Sequence, residues 1–352
     1  MQVDAGASFN GLVDLAAAAI GGEALSTNDE FFAERQNLLK PGRGVFIPDA
    51  YTDRGKWMDG WESRRKRGPG HDWCIIKLGV PGRIRALDID TNHFLGNHPP
   101  FASVEALNAS PDTPAELLEN AAWTEILPQS GLRPGSQNLF AIHDFGVVTH
   151  LRLNIFPDGG VARLKVWGEV APGWHTAPDE ASALVVKPGE VDLAALLNGA
   201  RALACSDAFF GPMNNLILPG RAENMGGGWE TRRRRGAGHD WIVVQLAARG
   251  TISLAELDTN HFKGNFPDRA QLEVIDAPGA RPTDLIWSNA QWGVKGGLAD
   301  QWRLLLPMNT LQASTRHFFR DDLAATGPVT HVRLSVFPDG GVSRMRLWGT
   351  PE

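Results

Sequence analysis

Polar and apolar side chains alternate along several short stretches of this chain, as they do in strands with one buried face. One stretch is His150–Phe156 and the next is 161–167, with the turn-forming sequence Pro-Asp-Gly-Gly at their junction. This arrangement predicts a β-hairpin, and it returns at 332–348. Trp73–Leu78 and Ile84–Ile89 are more apolar and predict more deeply buried strands.

Helical periodicity is confined to two short stretches, Val13–Ala19 and Val191–Leu197, each of which precedes a strand-rich region. The strand-like runs are short, and the 39 Gly and 23 Pro supply frequent turns between them. Short strands with such turns are typical of sandwiches and jelly rolls. The pattern therefore predicts an all-β protein with a few short helices.

The polar pattern occurs twice. Residues 61–73 return as 229–241 with 10 of 13 positions identical, and residues 90–97 return as 258–265 at the same shift of 168. A repeat of this length is a duplicated domain rather than a solenoid unit. We therefore expect two tandem homologous jelly-roll β-sandwich domains, 1–172 and 190–352, joined by a linker over 173–189 that is rich in Pro, Ala and acidic residues.

The shift between the copies changes along the chain, which locates insertions. It is 178 near the start of each copy, 168 in the polar motifs and 181 near the end. The first copy therefore holds extra residues around 43–56, and the second holds a Trp-rich insertion around 286–300. Insertions are best tolerated in loops, so we expect loops at both places.

Composition excludes several classes. The 352 residues carry a net charge of −6, which argues against general nucleic-acid binding. No apolar run approaches the roughly 18–20 residues of a membrane helix, and the first residues lack a secretory signal. Two cysteines, Cys74 and Cys205, do not make a disulfide framework. We expect free thiols and a cytoplasmic protein.

A cationic run, Arg64–Arg67, recurs as Arg232–Arg235. It is open to three interpretations: a nucleic-acid patch, a solvated charged strand, or a site for a carboxylate, which guanidinium groups bind in a bidentate manner. Alternate residues of an extended segment face the same way. Either Arg65 and Arg67 or their neighbours therefore face a ligand, and the sequence does not choose between them.

The Gly-x-Gly-His-Asp-Trp motif that follows contains His71 in one copy and His239 in the other. A histidine beside an acidic residue can act as a general acid or base near neutral pH. Adjacent residues of a strand point to opposite faces, so the His and Asp would not pair with each other. A purely structural role for either residue is the alternative.

The most polar repeated segment is Asp-Thr-Asn-His-Phe-x-Gly-Asn, which begins at Asp90 and follows a predicted strand. Strand ends on a rigid β scaffold commonly present catalytic groups. Asp90 and His93, alone or with His71, would suit a metal, although no HExxH or paired CxxC motif supports one. The alternative is that Asp and Asn only form turns. Glu62 is a candidate acid, or a surface charge beside a core tryptophan.

Together these motifs resemble the allantoicase family. The segments that carry the resemblance are 60–65, 70–73, 90–97 and 149–160, each with a counterpart in the second copy. The resemblance covers nearly the whole chain and implies two jelly-roll repeats of the galactose-binding-like type. It also implies hydrolysis of allantoate to ureidoglycolate and urea, a step of purine breakdown through allantoin, and a homo-oligomeric assembly.

The candidate residues suit this substrate, a small carboxylate whose neighbouring carbon bears two ureido groups. Arginine would hold the carboxylate, amides would orient a ureido group, and an acid or base would move protons. The candidate catalytic residues are His71, Asp90 and His93, with His239, Asp258 and His261. The candidate substrate-binding residues are Glu62, Arg65, Arg67, Asn92 and Asn97, with Glu230, Arg233, Arg235, Asn260 and Asn265. No cofactor is expected, and support for a divalent metal is weak.

Three other functions fit the same fold. One is a metal-dependent β-sandwich hydrolase, which chelator treatment would distinguish from a metal-free enzyme. A tandem carbohydrate-binding protein would expose several of the 12 Trp residues as stacking platforms. A related hydrolase acting on ureidoglycolate would differ only in the shape of its pocket. Both copies keep their polar residues, so the sequence leaves open whether one repeat or both hold an active site.

Overall fold

A computed structural model describes residues 11–171, 173–286 and 297–352. The chain forms two compact units, Met1–Ala171 and Pro172–Glu352, and each is built almost entirely of β-strands. The predicted fold, two tandem jelly-roll domains with a few short helices, is confirmed. Among the described residues, no helix has the length and apolar character needed to cross a membrane.

The described strands and helix of the first unit are β1 (Val13–Asp14), β2 (Glu23–Thr27), β3 (Tyr51–Thr52), β4 (Gly55–Lys56), β5 (Trp61–Glu62), β6 (Asp72–Asp90), β7 (Phe101–Leu107), α1 (Ala115–Glu119), β8 (Thr124–Gly131), β9 (Leu139–Ala141), β10 (Val148–Phe156), β11 (Gly160–Val161) and β12 (Arg163–Val170). Short 3-10 helices lie at Ala18–Ile20 and Arg35–Leu39.

The second unit contains α2 (Glu180–Ala183), β13 (Val191–Asp192), β14 (Arg201–Cys205), β15 (Trp229–Glu230), β16 (Asp240–Asp258), β17 (Arg269–Ile275), α3 (Pro282–Ile286), β18 (Arg303–Thr310), β19 (Arg316–Phe319), β20 (Val329–Phe337), β21 (Gly341–Val342) and β22 (Arg344–Pro351). Its 3-10 helices lie at Leu196–Asn198, Met213–Ile217, Met225–Gly227 and Leu298–Asp300.

The central element of the first unit is the long strand β6. Its first part pairs with β2 and β10, and its second part pairs with β9 and β12. The strand changes partners near Gly79 and Gly82, where a Cβ atom would lie 2.6 Å from the carbonyl oxygens of Ile20 and Glu169 respectively. Strand β16 has the same role in the second unit, with β14, β19, β20 and β22 as its partners.

The hairpin predicted over residues 150–167 is wrong, although both of its strands form. Strand β10 pairs with β6 and β7, whereas β12 pairs with β6 and β1. Strand β6 therefore lies between the two predicted hairpin strands. Alternation of polar and apolar residues specifies which face of a strand is buried, but not which strand lies beside it. The second copy differs from the prediction in the same way.

The helices predicted over Val13–Ala19 and Val191–Leu197 are also wrong. Each segment begins as a two-residue strand and ends near a 3-10 turn. The backbone N–H of Leu15 donates to Val166, and its carbonyl accepts from the N–H of Gly79, both at 2.8 Å, so Leu15 is fixed between two strands. A seven-residue helix gains too few hydrogen bonds to offset the cost of nucleation, so pairing with neighbouring strands prevails.

The segment 173–189, expected to be a linker, belongs to the second unit and packs against its strands. Ser182 is buried, and its hydroxyl donates a 2.9 Å hydrogen bond to Glu256. Asp179 forms an ion pair with Arg316 at 3.1 Å. Of the expected insertions, 43–56 contains the small hairpin β3–β4, whereas 287–296 lies outside the described residues. Cys74 and Cys205 are free thiols, as predicted.

Candidate active site

The two polar motifs of the first repeat meet because they lie at opposite ends of β6. Asp72 pairs with Ile155 and Asp90 pairs with Arg163, and only a short turn separates those two partners. The backbone N–H of Asp72 donates to Pro157 at 3.1 Å, and the N–H of Ala162 donates to the carbonyl of Asp90 at 2.8 Å. Residues 18 positions apart in sequence therefore reach the same end of the sandwich.

This end is packed around Phe94, which is fully buried. A Cβ atom on Gly160 would lie 2.0 Å from the Phe94 ring, so only glycine fits at the start of β11. Phe262 and Gly341 have the same relation in the second repeat, with a distance of 1.9 Å. The aromatic residue and the Gly-Gly turn of the repeated motifs therefore form one packing unit beneath the polar residues.

Asp90 is a buried support for the residues around it. Arg43 donates two hydrogen bonds to its carboxylate, Nε to Oδ2 at 2.8 Å and Nη2 to Oδ1 at 2.9 Å. The backbone N–H of Asn92 donates to Oδ1 at 2.9 Å, which fixes the start of the following loop. Because Asp90 is only 2% exposed and both of its oxygens are engaged, it orients other groups.

Asn92 and His93 share one backbone acceptor, the carbonyl of Gly44. Asn92 Nδ2 lies 2.8 Å from that oxygen and His93 Nε2 lies 3.1 Å from it. A carbonyl only accepts hydrogen bonds, so Nε2 carries the proton and Nδ1 is left as an acceptor. His93 also has φ of 68°, a conformation that is costly for a residue with a side chain. Phe46 stacks on the imidazole with a centroid distance of 5.5 Å.

Glu62 and Asn97 form the other polar pair. Asn97 Nδ2 donates to Glu62 Oε1 at 2.7 Å. Burial raises the pKa of Glu62 above its ordinary value, and the hydrogen bond from Asn97 opposes this shift without cancelling it. The Glu62 carboxyl is therefore able to hold a proton at a higher pH than a solvated glutamate.

These residues line a cavity of about 590 Å³ in the first repeat. Four of its lining residues are sequence candidates, namely Glu62, Asn92, His93 and Asn97. Its apolar walls include Phe32, Phe46, Met58 and Leu95. Lys56, on strand β4, is the only lysine or arginine among the described residues that line it, and its ammonium group lies 5.0 Å from the Phe46 ring.

The sequence model described as "Allantoicase repeat" matches residues 13–171 and 191–352, which is almost the whole chain. The chain belongs to the allantoicase family. The probable allantoicase 1 of Burkholderia mallei is 46% identical over 338 residues, covering 96% of this chain and 94% of that protein. The probable allantoicase of Pseudomonas aeruginosa is 46% identical over 347 residues, covering 98% of each.

Solved structures agree with the sequence relatives. The crystal structure of allantoicase from Saccharomyces cerevisiae matches with a TM-score of 0.78 and 34% identity, covering 97% of this chain and 93% of that one. A second solved structure of allantoicase has a TM-score of 0.78 and 33% identity. The similarity therefore extends through both repeats of this allantoicase-family chain.

The histidines of the Gly-His-Asp-Trp motifs lie elsewhere. His71 packs on Phe156 with a centroid distance of 4.6 Å, and its Nε2 lies 3.3 Å from Asn154 Oδ1. His239 packs on Phe337 in the same way at 4.5 Å, and burial lowers its pKa. Neither histidine lines the 590 Å³ cavity.

In the arginine run, the structure distinguishes the two sets of alternate residues. Arg64 forms an ion pair with Asp29 at 2.6 Å, and Lys66 forms one with Asp72 at 2.7 Å. Arg65 and Arg67 are exposed, and neither forms a hydrogen bond or ion pair with any described residue. Their counterparts Arg233 and Arg235 are exposed and unpaired within the same described part of the chain. These four arginines lie outside the cavity.

The second repeat has the same contacts among these polar residues, but a different loop lies beside them. Arg221 binds Asp258 at 3.0 Å, Asn265 donates to Glu230, and His261 has φ of 70° with its Nε2 at 2.9 Å from the carbonyl of Ala222. Asn260 donates to that same carbonyl at 3.3 Å. However, the loop after Ala222 is short, and it places Met225 Sδ 3.3 Å from the amide of Asn265. Glu230 is only 8% exposed, whereas Glu62 is half-buried.

Sequence reasoning missed Arg43 and Lys56. The signal for Arg43 was present, since Pro41-Gly42-Arg43 recurs as Pro219-Gly220-Arg221 at the shift of 178. Lys56 lies in the inserted hairpin and has no counterpart, so the repeat contains no signal for it.

The residues considered for a metal do not form a metal-binding group. Within the described ranges, no cluster of three His, Cys, Asp or Glu side chains is arranged to hold a metal ion. Both oxygens of Asp90 bind the Arg43 guanidinium, which would repel a cation placed there. His71 lies with Asn154 and Phe156 rather than with His93.

Proposed function

We propose that this chain hydrolyses allantoate to ureidoglycolate and urea, a step of purine breakdown, and that the cavity of the first repeat is the active site. Membership of the allantoicase family supports the reaction. The observation that carries the location is the convergence of Glu62, Asn92, His93 and Asn97 on one cavity.

In this proposal Lys56 binds the carboxylate of the substrate, because it is the lysine that lines the cavity. The side-chain oxygens of Asn92 and Asn97 accept hydrogen bonds from a ureido group, since their Nδ2 atoms already donate to Gly44 and Glu62. Phe46 and Met58 exclude water from the apolar side of the substrate. These contacts would hold the reacting carbon at a fixed position.

His93 and Glu62 then move the protons. Nδ1 of His93 takes a proton from a water molecule, whose oxygen bonds to the carbon between the two ureido groups. The bond from that carbon to one ureido nitrogen breaks, and the nitrogen takes the bonding electrons and a proton from the Glu62 carboxyl. The products are ureidoglycolate and urea, and the proton on His93 returns to Glu62 through solvent.

The proposed acid role of Glu62 is supported by its raised pKa, because an acid must carry its proton at the working pH. The substrate-binding roles of Arg65, Arg67, Arg233 and Arg235 remain predictions from the sequence, and the mechanism proposed for this cavity does not use them. A homo-oligomeric assembly also remains a prediction from the family.

The test is urea release from allantoate by the purified full chain, with and without prior chelator treatment. We expect urea and ureidoglycolate in equal amounts in both arms, since the mechanism routes no step through a metal. Glu62→Gln should abolish the alkaline limb of the pH profile and lower kcat by about 10²–10⁴-fold. Absence of urea release in both arms, even after divalent metal is added back, would contradict the proposal.

A further inference from the structure

The second repeat contains another cavity, of about 240 Å³, that does not include Glu230, Asn260, His261 or Asn265. Together with four acidic residues and the buried Trp348, it is lined by four arginines. They are Arg221, Arg316, Arg344 and Arg346.

Three of these arginines have carboxylate partners. Arg221 binds Asp258 at 3.0 Å, Arg316 binds Asp179 at 3.1 Å and also Glu256, and Arg346 lies 3.6 Å from Asp192. The last pair is the weakest, because burial raises the pKa of Asp192 and the separation is long. Nη1 of Arg346 is also buried and has no hydrogen-bond acceptor among the described residues.

Arg344 has no carboxylate partner within the described part of the chain. It is 5% exposed and donates only to backbone carbonyls, including those of Asn215 at 3.0 Å and Gly227 at 2.7 Å. Burial lowers the pKa of Arg344 to about 10. The nearby charge of Asp258 opposes this shift, but Asp258 forms its ion pair with Arg221 and not with Arg344. A buried guanidinium without an ion-pair partner is costly, so an anion in contact with it would be favoured.

The first repeat shows what the second repeat lacks. Arg163 occupies the equivalent place at the start of β12, and its Nη2 donates to the buried carboxylate of Asp59 at 2.7 Å. In the second copy Gly227 stands at the position of Asp59, and Ala222 stands at the position of Gly44. The guanidinium has been kept while its counter-charge has been lost. Nη2 of Arg344 therefore has no acceptor among the described residues. Arg344 lines the cavity, so an anion bound there could supply one.

We propose that this cavity binds a small oxyanion, with Arg344 as its charge partner and Arg346 as a second donor. Carboxylates and phosphate both present negatively charged oxygen atoms, to which a guanidinium donates charge-assisted hydrogen bonds. A cavity of this size admits only a small anion. The site is distinct from the proposed active site, which lies in the first repeat.

Calorimetric titration of the full chain at constant ionic strength tests the proposal, with inorganic phosphate in one arm and acetate in the other. We expect one anion to bind per chain, and the tighter arm identifies the class of ligand. The variant Ala222→Gly with Gly227→Asp restores the counter-charge of the first repeat and should weaken binding by about tenfold or more. Ala222 is changed to glycine as well, because a Cβ atom on residue 227 would lie 3.0 Å from the Cβ atom of Ala222.

The matched control is Ala222→Gly with Gly227→Asn, which has nearly the same shape without the charge and should bind as the wild type does. Arg346→Gln provides a second variant that keeps Arg344 in place, and it should also weaken binding. The proposal is overturned if the wild type binds neither anion, or if the Asp and Asn variants bind equally well.

Discussion

At the scale of single residues, Asp88 shows how burial alters an acidic group next to the site. It is 2% exposed, Gln137 donates to its Oδ2 at 2.7 Å, and its Oδ1 has no partner among the described residues. Burial is the main cause that raises its pKa to about 6, and the nearby Asp90 adds to the effect. Its counterpart Glu256 instead forms an ion pair with Arg316.

We predict that Asp88→Asn changes the pH dependence of stability. The folded-state pKa of about 6 lies above the ordinary value of 3.8, so folding favours the protonated form. The contribution is complete below pH 3.8 and is lost as the pH rises through 6. Relative to the wild type, the variant should therefore gain up to about 3 kcal/mol of unfolding free energy between pH 4 and 8.

Guanidinium chloride denaturation at both pH values measures this difference. Asp112→Asn, at an exposed position in a loop, is the control and should follow the wild type. If the difference between Asp88→Asn and the wild type is the same at both pH values, Asp88 does not titrate as the structure implies.

Much of the candidate site could be predicted from the sequence, because duplication marks the residues that two copies retain. Glu62, Asn92, His93 and Asn97 were all found in this way. The positions of His71 and Arg65 outside the cavity could not be predicted, since a repeated motif does not show which way a side chain points. Lys56 was missed because an insertion present in one copy has no partner for comparison.

At the scale of elements, the hairpin β3–β4 distinguishes the two repeats. It contributes Lys56 to the cavity wall, and the ammonium group of Lys56 lies 4.7 Å from the ring of Tyr51. The second repeat replaces this hairpin with a short loop that brings Met225 against Asn265. This insertion thus accounts for the difference between the open polar cavity of the first repeat and the covered position in the second.

We predict that Lys56→Met lowers kcat/KM for allantoate by about 10–100-fold, mainly through KM, because a charged hydrogen bond to the substrate carboxylate is lost. Steady-state measurement of urea release gives both constants. Lys263→Met, at an exposed position of the second repeat, should change neither. A fall in kcat with KM unchanged would show that Lys56 is not the carboxylate anchor.

The strands could be predicted from the sequence more reliably than their pairing. The runs 150–156 and 161–167 both form strands, because alternation follows directly from having one buried face. Their partners depend on β6, which lies far away in sequence and which the local pattern does not include. The prediction of helices over Val13–Ala19 and Val191–Leu197 failed for a related reason. Backbone hydrogen bonds to strands distant in sequence outweigh weak local periodicity.

At the scale of the whole molecule, the two repeats have the same arrangement of polar residues and differ in the loops that lie over it. Both hold a histidine with positive φ and a buried aspartate bound to arginine. The open cavity lined by these motifs lies in the first repeat, so we expect one active site per chain. The rival reading as a carbohydrate-binding protein has little support, since Trp174 alone is strongly exposed among the described tryptophans.

We predict that His93→Asn and His261→Asn have unequal effects. Asparagine tolerates the left-handed conformation that both histidines adopt, so both variants should fold. His93→Asn should lower kcat by about 10²–10⁴-fold, because the general base is lost. His261→Asn should retain nearly full urea release. If each variant instead halved the rate of urea release, both repeats would contain an active site.

Strand β6 also limits how such a protein can evolve. Each of its halves is an interior strand of a different group of strands, so neither group is complete without the other. A gene duplication that copied only part of the sandwich would leave a strand without neighbours on one side. The smallest unit that can be duplicated is therefore the entire sandwich, and insertions after duplication are best tolerated in the loops outside β6. The hairpin β3–β4, which contributes Lys56 to the cavity of the first repeat and has no counterpart in the second, is such an insertion.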